Sequence, residues 1–218
     1  MPDKTNSTVS RLRKVRLAAV IASVLILMIV VVAVAIERAG GLGSGGGATQ
    51  ATGTSPEVKI GGPFTLTDQT GKQVTEADFR GKYMLIFFGY TYCPDVCPTS
   101  LTQISTAMDI LGDKAKQVVP TLVTIDPDRD TPEVLKDYVA HFHPSVVGLT
   151  GTPEQIKQVA KAYRVYYAKV PSEAGNKDDY LMDHSAVIYL MGPDGKFVAH
   201  FTNTTDGETM AAKIAPLL

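Results

Sequence analysis

The most constraining feature of the chain is an apolar run close to its N-terminus. The run from Leu17 to Ile36 contains 20 residues without a charge and is rich in Val, Ile, Leu and Ala. A helix of this length extends roughly 30 Å, the thickness of the hydrocarbon core of a bilayer. A core helix of a soluble domain normally keeps a polar face over that length. We therefore predict a transmembrane helix at residues 17–36.

A cleaved signal peptide is the alternative interpretation of this run, because Ala33-Val34-Ala35 resembles a small-residue cleavage site. The apolar part of a signal peptide spans about 7–15 residues, so the longer run favours a retained anchor.

The charges on the two sides of the run differ in sign. Residues 1–16 carry five bases and one acid, whereas residues 55–218 carry 15 bases and 20 acids. The positive-inside rule then places the N-terminus in the cytoplasm and the rest of the chain across the membrane. Sixteen residues are too few for a typical organelle transit peptide, so we predict a single-pass protein of a bacterial inner membrane with its C-terminal domain in the periplasm. The net charge of −1 gives no reason to expect nucleic-acid binding.

A linker and one domain follow the predicted anchor. Residues 37–57 form a Gly/Ser-rich tether, in which nine of the 18 residues from Ala39 to Pro56 are Gly or Ser. A flexible chain of that length has an r.m.s. span of roughly 23 Å. It serves either as a spacer or as a means for the domain to reach a neighbour. Residues 58–218 are long enough for one domain with its own core.

Predicted strands alternate with predicted helices in this domain, which indicates an α/β fold with a mixed sheet. The sequence YMLIFFGY at residues 83–90 is typical of a central strand buried on both faces. The other predicted strands are residues 64–67, 73–75, 118–125, 185–190 and 196–201, and the predicted helices are residues 98–111, 131–141, 152–162 and 207–215.

The two cysteines of the chain, Cys93 and Cys97, lie just after the central strand, where the next helix is predicted to begin. Open α/β sheets bind ligands at such strand ends, and a helix N-terminus favours a thiolate. Three residues separate the cysteines, one more than in a thioredoxin-like redox motif, which suits metal chelation without forbidding a disulfide. Soft thiolates select Cu(I), zinc or iron–sulfur clusters. A cluster needs more cysteines and zinc normally needs four ligands, so the pair favours copper.

Four histidines are candidates for a third ligand. His141 and His143 at a predicted helix end, and His200 in a predicted hairpin, are better explained as structural or surface residues. His184 follows Asp183 at the edge of an apolar strand, and its local context leaves a ligand and a structural histidine both open.

Three alternating acids, Asp126, Asp128 and Asp130, look like the start of an EF-hand loop. The positions that should hold Gly and Glu hold Thr131 and Asp137 instead. We therefore predict a turn after a strand at this point rather than a calcium site.

The segment FGYTYCPDVCP at residues 88–98, followed later by Asp183-His184-Ser185, resembles the SCO/SenC family of membrane-tethered copper chaperones for cytochrome c oxidase assembly. The resemblance covers roughly residues 60–216. It includes DPDRDTP at residues 126–132, GLTG at residues 148–151 and MGPDG at residues 191–195.

The resemblance implies a thioredoxin-like fold that holds one copper ion, as Cu(I) and in some states Cu(II), through Cys93, Cys97 and His184. It implies delivery to the dinuclear copper site of cytochrome c oxidase subunit II, after loading by an upstream copper donor. Asp183 is a candidate to orient the His184 ring, or it only caps the turn. The alternative is a thiol-disulfide reductase that keeps the cysteines of that target site reduced through a Cys93–Cys97 disulfide, in which His184 is either dispensable or modestly tunes the pKa of a thiol.

Overall fold

The computed structural model describes residues 24–32, 59–171 and 180–218. The chain divides into two units, residues 1–55 and 56–218. In the first unit, residues 24–32 form a helix with exposed side chains, and the remainder of the predicted anchor and the tether lie outside the described residues. Within the described ranges, no helix is both long and apolar enough to cross a membrane.

The second unit consists of strands and helices that alternate along much of the chain. The strands are β1 Thr65–Asp68, β2 Gln73–Thr75, β3 Tyr83–Gly89, β4 Val118–Thr124, β5 Val147–Thr150, β6 Tyr167–Pro171, β7 Tyr180–His184, β8 Val187–Met191 and β9 Phe197–Thr202. The helices are α1 Val96–Leu111, α2 Pro132–Val139, α3 Pro153–Ala162 and α4 Gly207–Ile214. Seven of the strands form one sheet in the order β2-β1-β5-β4-β3-β8-β9, while β6 and β7 form a separate hairpin. Strands β3, β4 and β5 run parallel, and the other pairings are antiparallel.

The predicted mixed α/β sheet flanked by helices is confirmed, with α1 packed against α4 and α2 packed on β5. Three strands were not predicted. Strand β5 is short and its sequence VGLT contains a glycine, a residue depleted in strands. Strand β6 has partly or fully exposed side chains, and in β7 the exposed Leu181 lies between the buried Tyr180 and Met182, so neither sequence shows the apolar alternation of a half-buried strand.

The central strand β3 packs on both faces, as its continuous apolar sequence predicts. Phe87 and Phe88 are both fully buried, and they point to opposite faces of the sheet because side chains alternate along a strand. The ring of Phe88 lies 5.3 Å from that of Tyr163, just after α3. The Phe87 ring faces the side on which α1 begins. Burial of each ring contributes roughly 1.5–3 kcal/mol, so β3 holds the segment after it on a rigid support.

Three helices begin at side-chain caps. The side chains of Thr131, Thr152 and Asp206 accept hydrogen bonds from backbone N–H groups in the first turns of α2, α3 and α4. These caps confirm the predicted starts of the helices after Thr131 and Thr152. Helix α1 begins differently, because its N-cap residue Asp95 makes no side-chain capping bond.

Candidate metal centre

The sulfur atom of Cys93 caps the N-terminus of helix α1. The backbone N–H of Cys97 donates a hydrogen bond to Cys93 Sγ at 3.4 Å. Cys93 is half-buried and Cys97 is fully buried, and both thiols are free. The first N–H groups of a helix have no partner within the helix and carry the positive end of its dipole. The loop after β3 therefore places a sulfur where negative charge is stabilised.

The structure brings His184 to the same point. Its Nε2 lies 3.5 Å from Cys97 Sγ. One donor atom each from Cys93, Cys97 and His184 lies within 4.8 Å of the other two. Two sulfurs and one imidazole nitrogen form a donor set that soft metal ions accept. The predicted residues are thus together in space, and their action as ligands stays a prediction.

The His184 ring is oriented by the backbone rather than by the preceding side chain. Nδ1 lies 3.2 Å from the carbonyl oxygen of Ser185. A proton on Nδ1 shared with that oxygen leaves the Nε2 lone pair directed at the sulfurs. Asp183 is exposed, and strand alternation directs its side chain to the face of β7 opposite His184. The structure therefore assigns to Ser185 the orienting contact that the sequence suggested for Asp183.

The other three histidines lie apart from this group. His143 Nδ1 lies 2.7 Å from Ser145 Oγ, which agrees with a structural role. His141 is exposed. His200 is exposed and its ring stacks on Phe197.

The two thiols share one proton unequally. The hydrogen bond from the Cys97 thiol holds the pKa of Cys93 well below that of an ordinary thiol, and the neighbouring His184 side chain lowers it further. The same bond between the sulfurs, together with burial, raises the pKa of Cys97. In the metal-free protein Cys93 is therefore the thiolate and Cys97 the thiol. A metal bound by both sulfurs must displace the Cys97 proton.

Two aromatic rings enclose His184, and the sequence analysis did not identify them as part of the site. The rings of Phe87 and Tyr90 meet the imidazole edge-on, at centroid distances of 6.1 Å and 6.0 Å. Both belong to the apolar run of residues 83–90, Phe87 within β3 and Tyr90 directly after it, and that run was interpreted as core alone. Their position in the sequence could have indicated this role, because both lie within six residues of Cys93.

Gly89, the last residue of β3, leaves room for the Cys97 sulfur. A Cβ at this position would lie 2.8 Å from Cys97 Sγ and 2.8 Å from Phe87 Cε1. Contacts this short are not tolerated, so a side chain at position 89 would displace both the Cys97 sulfur and the Phe87 ring, or the backbone of β3.

Replacing Gly89 with alanine is therefore expected to destabilise the protein by about 1–3 kcal/mol, as overpacking of a core does, and to displace the Cys97 thiol. Urea unfolding measures the stability. Gly62→Ala is the control, because its Cβ would make only an ordinary contact, 3.6 Å from Ala162 Cβ. Equal stability of the two variants would contradict this account of Gly89.

A buried carboxylate anchors the loop that leads to Cys93. Asp130 Oδ1 accepts the Thr91 hydroxyl at 2.6 Å, and Asp130 Oδ2 accepts the Thr91 N–H at 3.1 Å and the Thr124 hydroxyl at 2.6 Å. Asp130 is fully buried in the turn that the sequence predicts after β4. Its role escaped sequence reasoning because its partner Thr91 is 39 residues away.

Comparison with known proteins places this site in a family. A family model described as SCO1/SenC matches residues 52–218. The SCO2-like protein of Rickettsia prowazekii is 45% identical over 145 residues, which are 66% of this chain and 70% of that protein. The SCO1 homolog of human mitochondria is 44% identical over 158 residues, 72% of this chain and 52% of that protein.

Solved structures agree with this match. The copper-bound structure of Bradyrhizobium japonicum ScoI has a TM-score of 0.68 and 50% identity, and the match covers 73% of this chain and 99% of that one. This chain spans about half the length of curated relatives from Schizosaccharomyces pombe, Arabidopsis thaliana and human, at 60%, 46% and 52%. The matched residues contain the whole cysteine–histidine group, and the chain belongs to the SCO1/SenC family.

Proposed function

We propose that this protein is a copper chaperone that binds one copper ion through Cys93, Cys97 and His184. The observation that carries the proposal is the placement of His184 Nε2, which faces the Cys97 sulfur from another part of the fold. Two thiolates and an imidazole suit Cu(I) by softness and number. The structures of Bradyrhizobium japonicum ScoI and yeast Sco1, which are 50% and 41% identical to this chain, are described with copper bound.

The proposed destination of this cargo is the dinuclear copper site of cytochrome c oxidase subunit II. Cys93 is half-buried while Cys97 is fully buried, so an incoming thiolate of the partner reaches the metal from the Cys93 side. Exchange of one thiolate for another transfers Cu(I) without a change of oxidation state. The thioredoxin-like domain would act in the periplasm, anchored by residues 17–36 in a bacterial inner membrane, and an upstream donor would reload it.

A thiol-disulfide reductase is the second candidate function, and one observation favours it. Cys93 is half-buried, and its pKa is lowered by the hydrogen bond from Cys97 and then by the neighbouring His184 side chain, so the attacking thiolate is present at neutral pH. Attack of the Cys93 thiolate on a target disulfide releases one target thiolate and forms a mixed disulfide. The adjacent Cys97 then attacks the Cys93 sulfur, which forms the Cys93–Cys97 disulfide and releases the second target thiol. The two functions differ in their need for His184.

The discriminating experiment is a Cu(I) competition titration of the reduced chain against a chromogenic chelator. We expect one-to-one binding that is at least about tenfold weaker in His184→Ala, a loss of about 1.4 kcal/mol. His141→Ala, which alters an exposed histidine, is the control and should bind as the unchanged protein does. Weak binding, or binding indifferent to His184, would favour the reductase.

The affinity for Cu(I) is expected to rise with pH. Cys93 is already ionised at neutral pH, whereas the bond to Cys93 and burial raise the pKa of Cys97, so each copper ion displaces one proton from Cys97. Between pH 7 and 8 the apparent association constant should rise about tenfold. The same titration at several pH values measures the slope, and a pH-independent affinity would show that Cys97 is already a thiolate.

A further inference from the structure

The turn at residues 126–130, called here the bridging turn, lies between the two halves of the metal centre. On one side, Asp130 holds Thr91 in the loop that carries Cys93. On the other side, Asp126 and Arg129 contact Tyr180 at the start of β7, the strand that ends in His184.

The hydrogen bonds to Tyr180 are buried or partly buried, and each of them involves a charged side chain. The Tyr180 hydroxyl donates to Asp126 Oδ1 at 2.8 Å, and Arg129 Nη1 donates to the Tyr180 carbonyl oxygen at 3.0 Å. The guanidinium carbon of Arg129 lies 3.7 Å from the centroid of the Tyr180 ring. Asp126 also pairs with Arg129, and it is 1% exposed. Hydrogen bonds to charged groups are stronger than those between neutral groups.

The hairpin that carries His184 needs such contacts. Among the residues that the structure describes, β6 and β7 pair only with each other and make no ladder with the seven-stranded sheet. An isolated two-stranded hairpin is marginally stable in water. Tyr180, Met182 and His184 share one face of β7, and the Met182 N–H donates to the Tyr90 hydroxyl at 3.2 Å. Side-chain contacts along this face therefore determine where His184 lies.

We propose that Asp126, Arg129 and Tyr180 are positioning residues for the third metal ligand. They hold the β6–β7 hairpin against the same turn that fixes the cysteine loop, so one rigid element sets the distance between His184 and the sulfurs. The inference rests on the proposed copper function for its consequence on affinity, while the anchoring of the hairpin is testable without metal.

The test is a double-mutant cycle with Tyr180→Phe, which removes one hydroxyl and keeps the ring. Loss of a direct hydrogen-bond partner of a ligand typically lowers metal affinity 10–100-fold. The Tyr180 hydroxyl acts on His184 through strand β7 rather than by direct contact, so Tyr180→Phe should weaken Cu(I) binding about tenfold, the low end of that range, when His184 is present. In the His184→Ala background it should have no effect. Asp126→Asn should repeat this pattern. The matched control is Tyr166→Phe, which removes a hydroxyl from an exposed side chain near the hairpin and should change neither value.

Two further measurements separate positioning from a general loss of stability. In the electron paramagnetic resonance spectrum of the Cu(II) form, the nitrogen hyperfine splitting should become smaller in Tyr180→Phe. That splitting arises from the His184 imidazole and not from the two sulfurs. Amide hydrogen exchange across Tyr180–His184 should become faster in the metal-free variant, while exchange in β3 stays unchanged.

The outcomes are distinguishable. An equal loss of affinity in both backgrounds, or no loss in the presence of His184, would overturn the positioning role. If the unchanged protein fails to bind copper, or binds it equally well without His184, the proposed function fails instead. Hydrogen exchange then decides the anchoring, because unaltered exchange of the hairpin in Tyr180→Phe would overturn it.

Discussion

Replacing Cys97 with alanine is expected to lower the affinity for Cu(I) by about three orders of magnitude. Structural zinc sites in zinc-finger peptides bind their metal with roughly 10–16 kcal/mol, and by that measure one of three ligands accounts for about 4 kcal/mol. A loss of this size corresponds to about 10³-fold in the dissociation constant. The effect should exceed that of His184→Ala, because the lost ligand is an anion in a fully buried position. Competition titration against a chelator measures both variants.

Ser100→Ala provides the matched control for this loss. Ser100 lies one turn further along α1, is fully buried, and its Oγ makes no hydrogen bond with the described residues. Its replacement removes one polar atom from the same helix and should leave copper binding unchanged. Binding by Cys97→Ala within tenfold of the unchanged protein would show that the buried sulfur is not a ligand.

Replacing Phe87 with alanine is expected to destabilise the protein by about 3–5 kcal/mol and also to weaken copper binding. Stability is lost because the substitution removes the favourable burial of a fully buried ring and leaves a cavity in its place. The weaker binding follows from the contact with His184, whose ring loses one of its two aromatic neighbours. Urea unfolding and Cu(I) titration measure the two effects.

Phe88→Ala separates the two effects. Phe88 is equally buried, but its ring packs against Tyr163 and Tyr189 on the other face of the sheet. It should cost a similar free energy of unfolding and leave the affinity for copper almost unchanged in the folded protein. Equal losses of affinity in both variants would mean that general loosening of β3, rather than contact with His184, controls the site.

Local patterns predicted the parts of the site that depend on neighbouring residues. The continuous apolar sequence of β3 and the spacing of Cys93 and Cys97 placed two sulfurs at a strand end and a helix start. The capping residues Thr131 and Thr152 likewise predicted two helix starts, because each capping hydrogen bond joins residues only three positions apart.

The remaining features depend on contacts that are distant in sequence. Cys97 and His184 are 87 residues apart, and the family resemblance rather than any local pattern connected them. The hydrogen bond between Asp126 and Tyr180 spans 54 residues and joins a turn to a strand that was not predicted. A carboxylate in a turn looks the same in sequence whether it faces solvent or a buried hydroxyl, so its role appears only in three dimensions.

The cap of α1 also stabilises the metal-free site. There the Cys93 sulfur carries a negative charge, and the N–H of Cys97 at the positive end of the helix dipole compensates it. The metal-free site therefore holds no isolated anion, and of the two sulfurs only that of Cys97 gains or loses a proton when a metal ion leaves or enters. The helix start acts as a permanent counter-charge, which keeps one of the two thiolates ready for a metal ion.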